Sequence, residues 1–160
     1  MAKIKAFLCK IYKEVIERQI MLDIVIIGSG PAGLSAAIYG SRSGLDVLVI
    51  EKISHGVGQI AEADCINNYL GFSSIRGFEL GMQFRAHAEA CGVRFQESEV
   101  IKLEQTDACW KIYAKDGSCI QSKTVIYAAG ASHRHLNVFG EEALIGKGVS
   151  YCATCDGTFY

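Results

Sequence analysis

The sequence contains one proline and one tryptophan, and neither sign of charge prevails. Lys+Arg number 16 against 17 Asp+Glu, for a formal net charge of −1. This balance gives no electrostatic reason to expect nucleic acid or an anionic membrane as a partner. No hydrophobic run approaches the length of a membrane span. Half of the residues are hydrophobic, which is ordinary for a globular domain with its own core.

The seven cysteines lack the spacing of a disulfide framework. Their odd, scattered distribution argues against a secreted scaffold and favours the reducing cytoplasm, with one functional pair. That pair is Cys152 and Cys155, a Cys-X-X-Cys motif followed directly by Asp156. Four other cysteines stand alone in apolar or strand-like surroundings and are expected to be small core residues: Cys65, Cys91, Cys109 and Cys119.

The apolar pattern predicts an α/β fold. Residues 22–27 form a near-continuous β-branched run, typical of a strand buried on both faces. Residues 32–43 have helical spacing, and residues 47–50 form a second buried strand, so the three segments make one β-α-β unit with a right-handed crossover. Further elements are predicted downstream: a helix over 77–91, a short strand over 93–95, a β-meander over 100–120 and a buried strand over 124–129.

A glycine-rich motif lies between the first strand and the first helix, and reads Gly28-Ser29-Gly30-Pro31-Ala32-Gly33. Gly28 allows a tight turn, Gly30 lets a pyrophosphate approach the backbone, and Gly33 lets helix and strand pack closely. The helix N-terminus offers free N–H groups to phosphate, and Glu51 ends the second strand where an acid accepts ribose hydroxyls. The pattern predicts a dinucleotide site, leaves FAD and NAD open, and argues against NADP there.

The Cys152–Cys155 pair is suited to a small, reversible disulfide ring. Asp156 is placed to exchange a proton with a leaving thiolate. The alternative is half of a zinc site completed by His133 and His135. The sequence has no second Cys-X-X-Cys and its spacing fits no standard zinc finger, so we expect no metal.

Residues 1–21 precede the first predicted strand and form a separate segment. Their apolar residues recur at helical spacing with charges on the opposite face. Three roles stay open: packing on the domain, contact with a membrane or partner, or no part of the native protein, since Met21 would be a natural start. We expect an amphipathic extension without a catalytic role.

The order of these motifs resembles that of bacterial low-molecular-weight thioredoxin reductases, over residues 22–160. Three further motifs carry the resemblance: Gly58-Gln59-Ile60, Asn67-Asn68-Tyr69 and Ala129-Gly130-Ala131-Ser132. The resemblance implies a three-layer (ββα) FAD-binding Rossmann-like domain over 22–135, incomplete here. It also implies the start of a truncated NADPH and dithiol domain over 136–160.

The resemblance assigns roles to individual residues. The cofactor would be FAD, with its pyrophosphate on the glycine motif and its adenosine ribose on Glu51. Its ribityl or isoalloxazine region would lie near Gly58, Gln59, Asn68 and Gly130. Cys155 would be the flavin-proximal sulfur, Cys152 would attack thioredoxin, and Asp156 would be the acid–base residue.

The implied reaction passes electrons from NADPH through FAD to the dithiol and on to thioredoxin, in a homodimer when the enzyme is complete. Residues 136–160 contain no Gly-X-Gly-X-X-Gly/Ala motif, so we expect a truncated fragment that needs its NADPH domain for turnover. Two motifs depart from the family pattern: Gly56-Val57-Gly58-Gln59 and Ala128-Ala129-Gly130. Two alternatives remain, an NADPH-independent flavin dithiol oxidase or ferredoxin-linked reductase, and a non-catalytic remnant.

Overall fold

The computed structural model describes residues 21–157, apart from the side chains of Thr154 and Cys155. The predicted amphipathic extension therefore lies, except for Met21, outside the described residues. The chain divides into two compact units, Met1–Gly130 and Ala131–Tyr160. The domain boundaries at 21/22 and 135/136 stay predictions.

The first unit contains one six-stranded sheet with the order β3-β2-β1-β6-β5-β4. Neighbours among β3, β2, β1 and β6 are parallel, whereas β6-β5 and β5-β4 are antiparallel. The strands are β1 (Leu22–Ile27), β2 (Val47–Glu51), β3 (Arg94–Glu97), β4 (Val100–Gln105), β5 (Trp110–Ala114) and β6 (Cys119–Tyr127).

Two long helices connect the parallel strands, as predicted. Helix α1 spans Pro31–Arg42 and helix α2 spans Gly77–Ala90, within one residue of the expected ends. Pro31 occupies the first turn of α1, where the missing N–H costs no hydrogen bond. The loop predicted over 52–76 contains a short 3-10 helix at Gln59–Glu62 that the sequence pattern did not indicate.

Alternate residues of β1 and β2 are buried on opposite faces of the sheet. Ile26 and Val49 pack beneath α1 and α2 in one apolar cluster. Val25 and Ile50 belong to a second cluster, which is completed by Ile112 of the antiparallel meander. The helices, the parallel strands and the meander therefore form three layers, and the predicted α/β fold with a β-meander is confirmed.

Strand β6 joins two segments that we predicted as separate, and that separation is wrong. Ser122 pairs with Trp110 of β5 on one side and with Leu22 of β1 on the other. Ser122 belongs to the polar Gln121-Ser122-Lys123 stretch between the two predicted segments, and it is fully buried. Its hydroxyl oxygen lies 2.7 Å from the Thr124 carbonyl oxygen, so the backbone satisfies the polar group and the strand continues.

The expectation that the lone cysteines are core residues is also wrong. Cys65 and Cys119 are exposed, while Cys91 and Cys109 are half-buried. Cys65 lies in the 52–76 loop, where its sulfur is 3.2 Å from the Ser74 hydroxyl. Cys119 opens β6 at the solvent side of the meander. None of these four cysteines therefore belongs to the buried core.

The second unit is short and mostly irregular. It contains two one-turn helices, α3 (Glu141–Leu144) and α4 (Ala153–Asp156), and an isolated bridge between Ile145 and Val149. Helix α4 begins directly after Cys152. Among residues 21–157, no helix combines the length and apolar character needed to cross a membrane.

The position of Ile112 between the meander and the parallel sheet gives a stability prediction. Ile112 is fully buried, so Ile112→Ala should lower the free energy of unfolding by about 2–5 kcal/mol, through lost burial and a residual cavity. Urea denaturation followed by circular dichroism measures the change.

Ile101 of β4 provides the matched control, because the same residue type is 65% exposed there. Ile101→Ala should change the free energy of unfolding by less than about 0.5 kcal/mol. Equal costs for the two substitutions would contradict the packing of β5 over the parallel strands.

Candidate functional site

The three glycines of the 28–33 loop have distinct backbone environments. Gly28 has φ +107°, and a Cβ there would lie 2.2 Å from the Ala128 carbonyl oxygen. A Cβ at Gly33 would lie 2.0 Å from the Gly28 carbonyl oxygen, since α1 packs directly on the loop. At Gly30 the nearest atom would be 3.8 Å away. Gly28 and Gly33 are thus required for packing, whereas a Cβ at Gly30 would meet only Gly58 Cα, at an ordinary van der Waals distance.

The N-terminus of α1 is free of competing side chains. Gly30 is its N-cap residue and makes no side-chain capping hydrogen bond. The first turn also contains no acidic residue, so its N–H groups and its positive dipole end are available to an anion. Pro31 and Ala32 form this turn and add no polar side chain to it.

A second loop lies against the glycine loop. The Ser29 hydroxyl donates a 2.9 Å hydrogen bond to the Gly56 carbonyl oxygen, and the Ser29 side chain is buried. Gly58 has φ +80°, and a Cβ there would lie 2.9 Å from Gly30 Cα. The departure from the family pattern at Gly56 therefore coincides with a specific contact that joins two predicted cofactor loops.

The remaining predicted cofactor residues lie at the surface of the first unit. Gln59 begins the 3-10 helix next to Gly58 and is exposed. Asn68 is exposed and adjoins Tyr69, whose ring centroid is 5.4 Å from that of Phe84. Gly130 is exposed, with φ +76°. The cofactor contacts of Gln59, Asn68 and Gly130 stay predictions.

A cavity of about 500 Å³ opens at the carboxyl ends of β1 and β2, and Gly28, Ile50 and Lys52 contribute to its lining. Ligands of open α/β sheets bind at such strand ends. Glu99, at the rim, accepts hydrogen bonds from Lys52 and Lys115 at 2.8 and 3.1 Å, and these bonds lower the pKa of Glu99. A second cavity of about 500 Å³ lies between α1 and α2, and Pro31, Ile60 and Tyr69 contribute to its lining.

Glu51 is bound by an arginine that sequence reasoning missed. Both of its carboxylate oxygens accept from Arg85 Nη1, at 2.8 and 2.7 Å. The two side chains are only 3% and 6% exposed. Arg85 Nε donates to Glu89 at 2.7 Å, and the guanidinium carbon lies 3.4 Å from the Phe95 ring centroid. The available signal was the position of Arg85 on the apolar face of the predicted helix.

These contacts fix the charge state of Arg85. Burial alone would lower the pKa of Arg85, but its hydrogen bonds to Glu51 and Glu89 outweigh that effect and raise the pKa. A carboxylate oxygen can accept more than one hydrogen bond. The bonds from Arg85 therefore do not use all the acceptor sites of Glu51, and a ribose hydroxyl is not excluded by them. The predicted ribose contact of Glu51 stays a prediction.

In the second unit, Cys152 is disulfide-bonded. The Asp156 N–H donates to the Cys152 carbonyl oxygen at 3.0 Å, which places the acid one helical turn from the cysteine backbone. Ser150, which sequence reasoning missed, donates from Oγ to Asp156 Oδ2 at 2.6 Å. The Cys152 N–H donates to Ser150 Oγ at 3.0 Å. Cys152 and Asp156 are thus brought together, whereas the role of Cys155 stays a prediction.

Two histidines of the second unit surround one tyrosine. The His133 ring stacks on Tyr151 at a centroid distance of 5.2 Å, and His135 meets it edge-on at 5.5 Å. His135 Nδ1 lies 3.1 Å from Glu141 Oε1. Within the described part of the chain, no group of three or more His, Cys, Asp or Glu side chains is arranged to hold a metal ion.

Glu141 is held in place by backbone donors. The N–H groups of Leu136 and Asn137 donate to its carboxylate at 2.9 and 2.6 Å, and the side chain is 5% exposed. Burial alone would raise the pKa of Glu141, but these backbone N–H groups and His135 lower it. The carboxylate therefore organises the loop that precedes α3.

The model of one protein family, described as pyridine nucleotide-disulphide oxidoreductase, matches residues 22–160. The chain belongs to this family. The matched residues contain both the glycine loop and the cysteine pair.

Comparisons with individual proteins and crystal structures confirm the resemblance to bacterial thioredoxin reductases. The thioredoxin reductase of Mycoplasma pneumoniae is 39% identical over 142 residues, covering 89% of this chain and 45% of that protein. The crystal structure of thioredoxin reductase from Streptococcus pyogenes has a TM-score of 0.74 and 42% identity, covering 88% and 45%. The chain thus spans about 45% of the length of these relatives.

A ferredoxin-flavin thioredoxin reductase from Clostridium acetobutylicum is also similar in structure. Its TM-score is 0.64 and its identity 36%, covering 88% of this chain and 48% of that one. A reductase that is named for ferredoxin and flavin therefore shares this fold.

The buried Glu51–Arg85 pair predicts a large loss of stability when one partner is removed. Arg85→Ala leaves the Glu51 carboxylate buried without its partner and should lower the free energy of unfolding by roughly 3–5 kcal/mol. Urea denaturation of the two chains measures the difference.

Glu89→Gln is the control, since the Glu89 side chain is 49% exposed and its pair with Arg85 is an ordinary i,i+4 contact. Its cost should stay below about 0.5 kcal/mol. An Arg85→Ala chain as stable as its parent would show that the pair does not hold α2 on the sheet.

The lowered pKa of Glu141 predicts pH-dependent order in the second unit. A carboxylate with a lower pKa in the folded than in the unfolded chain stabilises the fold above its ordinary pKa of about 4.3. That stabilisation is lost as pH falls through the folded value. We expect hydrogen-exchange protection factors of the Leu136 and Asn137 amides to decrease in that window.

Glu141→Gln should show low protection at those amides at every pH. The neighbouring Glu142 is exposed, so Glu142→Gln should behave like the parent chain. Protection that does not vary with pH in the parent chain would contradict the role of the Glu141 carboxylate.

Proposed function

We propose that the chain carries the flavin cradle and the redox-active disulfide of a thioredoxin-disulfide reductase. Electrons would pass from NADPH through FAD to Cys152 and Cys155, and then to thioredoxin. The observation that carries the proposal is the presence of two sites in one family member. One is a glycine loop with room for a Cβ at Gly30, and the other is a disulfide-bonded Cys152 beside Asp156.

The fit of FAD is supported by the site itself. The uncapped first turn of α1 suits a pyrophosphate, and the 500 Å³ cavity at the strand ends begins at Gly28. When bound, FAD supplies the two-electron chemistry that links a nicotinamide cofactor to a disulfide. Two features support this fit: the backbone conformation of the glycine loop and the position of Glu51 at the end of β2.

The residues of the chain would bind and orient the cofactor. Backbone N–H groups of the 28–33 loop would hold the phosphates, and Glu51, kept in position by Arg85, would accept a ribose hydroxyl. Gly58, Gln59 and Asn68 would lie along the ribityl and ring portion. Gly130 would allow close approach at the end of the first unit.

The dithiol would act by thiol–disulfide exchange. The Cys152 thiolate would attack a thioredoxin sulfur, so that one S–S bond forms while the thioredoxin S–S bond breaks. Cys155 would then attack Cys152, releasing dithiol thioredoxin and restoring the protein disulfide. Asp156 would donate a proton to a leaving thiolate and take one from an entering thiol.

Thioredoxin, a homodimeric assembly and a cytoplasmic location belong to this proposal. The proposed function differs from the ferredoxin-linked alternative in its electron donor, which is NADPH rather than ferredoxin. The similarity to a ferredoxin-flavin thioredoxin reductase motivates that alternative, which is tested with reduced ferredoxin in place of NADPH. A non-catalytic remnant would predict no thiol formation with either donor.

The experiment that tests the proposal measures thiols formed from the protein disulfide. The parent chain is mixed anaerobically with photoreduced FAD, and new thiols are counted with a chromogenic reagent. We expect thiols to form at a rate that saturates with FAD. Gly30→Ala should need at least about tenfold more FAD, because its methyl group occupies the phosphate approach.

Two controls separate binding from folding. Gly30 has φ −70° and room for a Cβ, so Gly30→Ala should unfold at the same temperature as its parent. Gly33→Ala should instead lose stability, since its Cβ meets the Gly28 carbonyl oxygen. Riboflavin, which lacks the pyrophosphate, should not distinguish Gly30→Ala from the parent. Unchanged FAD dependence in Gly30→Ala would refute the cradle.

A further inference from the structure

Ser150 lies at the centre of a small hydrogen-bond network beside the disulfide. Its Oγ is 2.6 Å from Asp156 Oδ2, a short distance typical of a hydroxyl that donates to a carboxylate. The same oxygen accepts the Cys152 N–H at 3.0 Å and lies 3.3 Å from the Cys152 carbonyl oxygen. A single half-buried hydroxyl therefore contacts both the backbone of the reactive cysteine and the side chain of the acid.

The hydroxyl has one proton and two lone pairs, which limits how these contacts are made. When the Asp156 carboxylate is ionised, Ser150 donates its proton to Oδ2, and the Cys152 N–H uses one lone pair. When Asp156 is protonated, its own O–H donates to the second lone pair of Ser150. The Ser150 proton then turns to the Cys152 carbonyl oxygen, which lies within hydrogen-bond distance.

We propose that Ser150 is a positioning residue that keeps Asp156 hydrogen-bonded in both of its protonation states. The carboxyl group would then give up and regain a proton beside the disulfide without a change of rotamer and without losing its partner. This inference rests on the proposed function, because it gives a use to Ser150 only if Asp156 exchanges protons with the dithiol.

The other titratable side chains with described contacts in this unit are engaged with one another. His133 and His135 contact Tyr151, and His135 pairs with Glu141. The thiols of Cys152 and Cys155 are the remaining titratable groups next to Asp156 in sequence. The reduced and oxidised chains must therefore be titrated separately, so that thiol ionisation is not read as ionisation of Asp156.

The experiment titrates the Asp156 carboxyl group directly in the complete chain, by ¹³C NMR of labelled aspartate. Asp156→Asn identifies the resonance by its loss. Ser150→Ala removes the hydroxyl that contacts the carboxyl group in both protonation states, so the ¹³C chemical shift of Asp156 should change at both the low-pH and the high-pH end of the titration. Ser150→Thr retains a hydroxyl and should restore the parent chemical shifts at both ends.

Ser43→Ala is the matched control. The Ser43 hydroxyl also bonds a nearby backbone carbonyl, that of Tyr39 at 2.9 Å, but it lies in the first unit. This substitution should leave the Asp156 chemical shifts unchanged at both ends of the titration. A Ser150→Ala chain whose Asp156 chemical shift equals that of the parent at either end, or a change that Ser150→Thr does not reverse, would overturn the inference.

The rate of disulfide reduction by dithiothreitol separates this inference from the proposed function. In that reaction dithiothreitol loses two electrons, the protein S–S bond breaks, and each released sulfur gains a proton. If Asp156→Asn leaves the pH profile of the rate unchanged, the proposed acid–base role fails, and the inference fails with it. If Asp156→Asn alters the profile but Ser150→Ala does not shift it, only the inference fails.

Discussion

The close approach of three backbone segments is the constraint on which the first unit depends. Gly28 meets the carbonyl group that follows β6, and Gly33 meets the carbonyl group of Gly28. A side chain at either position would separate α1 from the sheet or β1 from β6. Because this packing uses backbone alone, it leaves the N–H groups at the start of α1 uncovered. The tight packing and the uncapped N-terminus of α1 therefore share one cause.

The second constraint is electrostatic and fixes the acid at the end of β2. A carboxylate as buried as Glu51 requires a partner, and Arg85 supplies a guanidinium whose position is set by Glu89 and by the Phe95 ring. The helix that carries Arg85 is thereby tied to the strand end. In the second unit Glu141 has a comparable function, since its carboxylate collects backbone N–H groups of the preceding loop.

Most of the fold was predictable because β-branched runs and glycines indicate strands and turns from their neighbours in sequence alone. Residues 22–51 reveal a β-α-β unit through composition and spacing alone. The continuity of β6 was not predictable, since the buried hydroxyl of Ser122 is satisfied by backbone groups of the folded sheet. Arg85 and Ser150 were missed for the same reason, because the contacts of each form only in the folded chain. Arg85 binds Glu51, which is distant in sequence, and Ser150 binds Asp156, which a turn brings close. The exposed cysteines show that apolar neighbours in sequence do not guarantee burial.

Strand β6 has a further physical consequence. Its first part is flanked by β5 and β1, but within the described residues its last part, 124–127, pairs with β1 alone. Apart from the Thr124 carbonyl oxygen, which accepts from the Ser122 hydroxyl, the backbone groups on that side therefore have no neighbouring strand among the described residues. The adjacent Tyr127 side chain is 73% exposed. Such an edge is a template for any extended peptide of suitable register, and self-association at high concentration should begin there.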